Sequence, residues 1–136
     1  MSRVAKGYSF AGALAGLVGM SAMFLILVPL RGAQENRQIV LVARNMVFML
    51  EDGDGEANPT LTFKPGEQVT ILLRNDDPGM RHDLVIESLD VRSKVISFGQ
   101  SLRLTFTVPT DGDAMIYMCS LHPYMMRGDI RVRESR

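Results

Sequence analysis

The chain has one cysteine and only two histidines in 136 residues. A lone cysteine forms no internal disulfide, so cysteine usage carries no information about redox compartment. A basic excess is missing as well, since 15 Lys+Arg balance 15 Asp+Glu. Arg3, Lys6 and Arg31 flank an N-terminal apolar segment, and every acidic residue lies beyond it. Past Arg31, twelve Lys+Arg therefore face fifteen Asp+Glu, a net charge of −3. That balance argues against a nucleic-acid binder, which needs a basic face. No helical periodicity appears after Leu30. The acidic loop Glu51-Asp52-Gly53-Asp54-Gly55-Glu56 lacks the pattern of a helix-loop-helix calcium site. Counted from Asp52, Ala57 and Phe63 stand where a glycine and a bidentate glutamate are required. A solvated turn is expected there.

Charge is also absent from Tyr8 to Leu30, a run of 23 residues. About 20 suffice to cross a bilayer core as a helix. A cleaved signal peptide would show a shorter apolar region before a small-x-small site, and cleavage after Ala33 would place Arg31 where a small residue is wanted. The expectation is residues 1–7 in the cytoplasm, an uncleaved transmembrane helix over 8–30, a linker over 31–38 and a folded domain over 39–136. Arg3 and Lys6 keep the N-terminus inside by the positive-inside bias, which sends the domain outward, to the periplasmic side of a bacterial cytoplasmic membrane. Ala11, Gly12, Ala15, Gly16 and Gly19 form a small-residue face, and Gly12-x-x-x-Gly16 permits close approach of another membrane helix.

The remainder reads as short strands. Ile39 to Met49 is a first strand broken near Asn45. Leu61 and Phe63 alternate with polar neighbours, Pro65-Gly66 turns, and Gln68 to Arg74 alternates again. Asn75 to Gly79 is a loop. Strands follow over His82 to Glu87, Val91 to Ser97, Ser101 to Val108, Ala114 to Met118 and Asp129 to Arg133. Alternating strands at 8–12-residue intervals with Gly/Pro turns describe an all-β sandwich.

The chemistry concentrates at Cys119-Ser120-Leu121-His122-Pro123-Tyr124-Met125-Met126-Arg127-Gly128. This stretch holds the only cysteine and one histidine; the other, His82, opens the apolar run His82-Asp83-Leu84-Val85-Ile86. Two imidazoles, a thiolate and a nearby thioether are the donor set of a mononuclear blue-copper site, with the methionine long and axial. Cys-x-x-His alone is a weak signal. The methionines just beyond it and a remote histidine at the start of an apolar strand strengthen it. Seven other internal methionines (Met20, Met23, Met46, Met49, Met80, Met115, Met118) show that this chain also uses Met as core filler.

At these residues the chain resembles the cupredoxins. "CSLHPYM" followed by "RGDIRV" is similar to the ligand loop of amicyanins, and "LRNDDPGMRHDLVI" has the family layout of strand, loop and histidine ligand. The resemblance runs from Ile39 to the C-terminus and implies a Greek-key sandwich holding copper through His82, Cys119, His122 and a methionine. Met125 stands at the amicyanin spacing and Met126 at an azurin-like one; the spacing favours Met125. Asp83 replaces the asparagine usual in the family. It is expected to tie the two ligand loops by accepting from Ser120 and to lower the potential as a carboxylate. Multicopper chemistry in the family needs His-x-His pairs, and a binuclear copper domain needs a second cysteine; this chain has neither. The resemblance thus implies a one-electron carrier rather than an enzyme, docking partners through Pro123 and Tyr124 with Pro78, Gly79 and Met80. A partner integral to the membrane, an electron-transfer complex packed on the Gly12/Gly16 face, is expected. A copper-handling protein and a structural subunit with copper optional are the competing readings.

Overall fold

A computed structural model describes residues 36–111 and 114–133. The expected membrane helix, its flanking N-terminus and most of the linker lie outside these residues. Among the described residues no helix is long and apolar enough to cross a membrane.

The strands are β1 (Asn36–Arg44), β2 (Val47–Leu50), β3 (Leu61–Phe63), β4 (Gln68–Asn75), β5 (Arg81–His82) and β6 (Val85–Ile86). They continue as β7 (Val91–Arg92), β8 (Ile96–Ser97), β9 (Ser101–Thr107), β10 (Met115–Met118) and β11 (Arg127–Val132). One sheet runs β2-β1-β4-β9, a second runs β3-β11-β10-β6-β7, and β5 pairs with β8 alone. β1 lies parallel to β4, and β11 parallel to β3; the other pairings are antiparallel.

The period-2 pattern explains the core. Along β4, Val69, Ile71 and Leu73 are fully buried, and β9 answers with buried Leu104 and Phe106. Aromatic rings join the two sheets. Phe48 of β2 packs on Tyr117 of β10 at 5.6 Å between centroids. Phe63 of β3 meets Phe106 of β9 edge-on at 6.2 Å. Such geometries add to burial itself.

Several expected strands are divided. β1 starts at Asn36, inside the expected linker, because Asn36 to Gln38 pair in register with Gln68 to Thr70. The break near Asn45 is a tight hairpin. Asn45 and Met46 both have positive φ, 54° and 61°, as a two-residue loop between twisted strands demands. The expected His82–Glu87 strand breaks at Asp83-Leu84, so that β5 pairs with β8 while β6 joins the second sheet. Val91 to Ser97 breaks likewise. Ser93 takes the Leu84 N–H on its hydroxyl and donates its own N–H to the Leu84 carbonyl, which holds the two breaks together. A 3-10 turn over Glu87–Leu89 was not foreseen; it is too short to show a helical period.

Below the second sheet, the Tyr117 hydroxyl donates to the Pro59 carbonyl at 2.6 Å, deep in the core. Gly128 is its cross-strand partner, and a Cβ there would overlap the Tyr117 ring. Gly128→Ala should therefore destabilise the domain by about 1–3 kcal/mol through overpacking, read from urea unfolding of the metal-free protein. An unchanged midpoint would mean that the ring has room to move.

Candidate metal centre

Three elements converge on one point. β10 ends at Met118 and hands Cys119 to a tight loop. That loop is wound by its own backbone: His122 N–H donates to the Cys119 carbonyl at 3.1 Å, and both Met125 and Met126 N–H donate to the His122 carbonyl at 3.2 and 3.0 Å. The Cys119 N–H closes the turn on the Met126 carbonyl at 2.9 Å. β5 brings His82 from the other side.

The result is a compact donor cluster. Cys119 Sγ lies 3.8 Å from His82 Nδ1 and 3.6 Å from His122 Nδ1. The ligand atoms of the three residues all lie within 4.8 Å of one another. Three N and S donors placed trigonally at roughly 2.0–2.3 Å from a common ion stand about 3.5–4 Å apart, so the cluster has the dimensions of a metal site. His82 and Cys119 are fully buried, and His122 is partly exposed.

Electrostatics agree with that use. Burial lowers the pKa of His82 against a smaller opposing pull from Asp77, so at neutral pH the imidazole is uncharged and free to donate a lone pair. Burial also raises the Cys119 thiol above its usual range, with Asp83 and Leu121 backbone N–H groups opposing. An incoming cation would have to displace that proton.

Asp83 is buried and ties the two ligand segments. Its Oδ1 accepts the Ser120 N–H at 2.6 Å, and its Oδ2 accepts the Ser120 hydroxyl at 2.5 Å. Arg92 approaches the same Oδ2 at 3.9 Å from a largely exposed position.

The methionines are placed against the expectation from spacing. Met125, favoured there, is 57% exposed, whereas Met126 is fully buried in the core cluster with Cys119. The winding around the His122 carbonyl leaves Met125 exposed and Met126 buried. Two other residues were not singled out from sequence. Asn58, in the left-handed conformation, donates from Nδ2 to the Met125 carbonyl at 2.8 Å and pins the loop from below. Asp77 accepts from the His82 ring, 3.2 Å from Nε2. Outside, Tyr124 (99% exposed), Met125 and Leu121 form an apolar rim, and His122 lines a shallow depression with Gly79, Met80, Arg81 and Leu121.

The His82 shift has a sign that can be checked. An imidazole whose folded pKa is depressed destabilises the folded state as pH falls below the unfolded value, about 6.5. Above that value its contribution is constant. The metal-free protein should lose stability from pH 7 towards pH 5, and His82→Gln should flatten part of that loss in urea titrations. An equally steep decline in the variant would remove His82 as its source.

Comparison with protein-family models and with curated proteins finds no match. Solved structures do match. Auracyanin A, a "blue" copper protein from Chloroflexus aurantiacus, aligns over 73% of this chain and 100% of its own at 18% identity, TM-score 0.57. Reduced auracyanin from Roseiflexus castenholzii gives 73% and 98% at 18% identity, TM-score 0.57. The copper nitrite reductase of Nitrosomonas europaea covers 72% of this chain with 41% of itself at 20% identity, TM-score 0.58. At these identities the likeness is one of fold: the sandwich is a cupredoxin fold.

Proposed function

We propose that the chain is a mononuclear blue-copper electron carrier in which His82, Cys119, His122 and Met126 would hold the ion. The observation that carries this reading is the Cys119 sulfur set 3.8 and 3.6 Å from the inward Nδ1 atoms of both histidines. Bound copper would supply a one-electron couple. The protein residues hold its ligands, exclude water from one side and leave the other side thin. Met126, buried in the same core cluster as Cys119, would supply the thioether ligand, while Met125 belongs to the outer rim. The His122 edge, with Tyr124, Met125 and Leu121 around it, is the surface through which electrons pass to and from partners. A small apolar contact of this kind suits transient redox docking.

The charge-free run Tyr8 to Leu30 supports a membrane tether. The domain then works on the periplasmic face, and tethering raises its effective concentration toward a membrane partner. We assign that partner to the class of integral electron-transfer complexes, packed on the Gly12/Gly16 face.

The copper-loaded oxidised protein should show an intense thiolate-to-copper band in the visible. Cys119→Ala should abolish it, and persistence of the same colour would refute the assignment. Met126→Leu should shift both potential and spectrum, while Met125→Leu should leave the spectrum alone. The opposite pattern would return the axial role to Met125.

The tether has its own test. The full chain should co-purify with a membrane complex in mild detergent, and Gly12→Leu/Gly16→Leu should loosen the association, since bulk at a close helix contact separates both backbones. A lone monomer in both cases would leave a free tethered carrier.

A further inference from the structure

Asp77 sits behind the site on the side away from the exposed histidine. It is only 8% exposed. Its Oδ2 lies 3.2 Å from His82 Nε2 and also accepts the Met46 N–H at 2.9 Å. The backbone that carries the carboxylate is held as well. The Asp77 N–H donates to Asn75 Oδ1 at 2.9 Å, and Asn75 Nδ2 in turn holds the Met80 and Ile96 carbonyls at 3.0 and 3.1 Å. The Met46 donor is itself fixed by a hairpin turn with positive φ. Nearby cations are engaged elsewhere: Arg44 and Arg74 both pair with Asp76, and Arg74 also with Glu51. Among the described residues, His82 is the only ion-pair partner of Asp77.

A neutral imidazole has one N–H and one lone pair. An ionised carboxylate only accepts, so it draws the proton to Nε2 and leaves the Nδ1 lone pair toward Cys119. Among the described residues His122 has no such partner; its ring contacts there are to Cys119 and to the His82 ring. The two imidazoles are therefore unequal: one is backed by a buried anion and the other faces solvent.

We propose that Asp77 is a positioning residue that fixes the His82 tautomer and sets the reduction potential of the site from its buried side. The inference rests on the copper reading above. A carboxylate behind a ligating imidazole makes that imidazole a stronger donor and brings negative charge near the metal. Both effects favour the cupric over the cuprous state. Asp77 adds this charge independently of Asp83, which acts on the opposite ligand segment through Ser120.

Asp77→Asn separates charge from geometry, because the amide oxygen can still accept from His82 and Met46. In the copper-loaded full chain, the visible band should persist in Asp77→Asn while the Cu(II)/Cu(I) affinity ratio falls about tenfold. For a one-electron couple that is a rise in potential of about 59 mV. Asp77→Glu should restore part of the wild-type value. A purely structural role would lower stability in Asp77→Asn and leave the potential where it was, and that result would overturn the proposal. A second readout needs no copper: 15N NMR of the metal-free protein should show His82 protonated on Nε2 in the wild type and a mixture of tautomers in Asp77→Leu. Wild-type His82 protonated on Nδ1 would overturn the positioning role by itself. Failure of the wild type to develop a visible band, with the Nε2 tautomer present, would sink the copper reading and the potential-setting role but leave the tautomer assignment standing.

Discussion

The metal centre depends on how the loop from Cys119 to Met126 is pinned. A thiol on a free loop would sample many positions, and ordering each backbone residue costs about 1–2 kcal/mol. Here that cost is met by hydrogen bonds at several points. The loop closes on itself through Cys119 N–H and the Met126 carbonyl. Asp83 grips Ser120 from one side, and Asn58 grips the Met125 carbonyl from the other. Once those contacts hold, Cys119 has one place to be, and His82 needs only the β5–β8 pairing to meet it. The break after β5 thus shapes the candidate site. It lets His82 belong to one small sheet while Val85 and Ile86 enter another, with Asp83 freed at the junction to reach across.

Burial and charge pull against each other at this place. Burial favours both the protonated thiol and the neutral imidazole. The same burial makes carboxylates costly unless they are fully hydrogen-bonded. Asp83 takes two donors from Ser120 and Asp77 takes the Met46 N–H and the His82 ring, and no buried side-chain polar atom among the described residues lacks a partner. Their presence therefore calls for a use that compensates desolvation, and a cation between them supplies one.

Much of this was legible in the sequence because the informative residues are scarce. With one cysteine and two histidines, their positions could be weighed directly, and the structure brings all three together. The sandwich also followed from alternation: Val69, Ile71 and Leu73 point inward as their spacing implies. What escaped was set by tertiary contacts. Met125 and Met126 are adjacent in sequence and both apolar; only the winding around the His122 carbonyl decides which is buried. The strand breaks at Asp83-Leu84 and after Arg92 come from Ser93 stitching to Leu84, a pairing nine residues apart that no period reveals. Asp77 stands in an Asn-Asp-Asp-Pro-Gly stretch that reads as an ordinary turn, and its contacts to His82 and to Met46 of the Asn45-Met46 hairpin are tertiary.

The inequality of the two histidines gives the site a direction. His82 is enclosed, hydrogen-bonded on its far nitrogen and held by residues from three segments. His122 sits in the loop, with Leu121, Tyr124 and Met125 exposed around it. In the proposed carrier, a partner docking on the rim would touch the chain nearest the least constrained ligand. In a carrier the ligand geometry must change little between oxidation states, because reorganisation slows transfer. The hydrogen-bonded His82 side and the self-closed Cys119 loop would supply that stiffness in the proposed carrier, leaving the exposed rim to meet a partner.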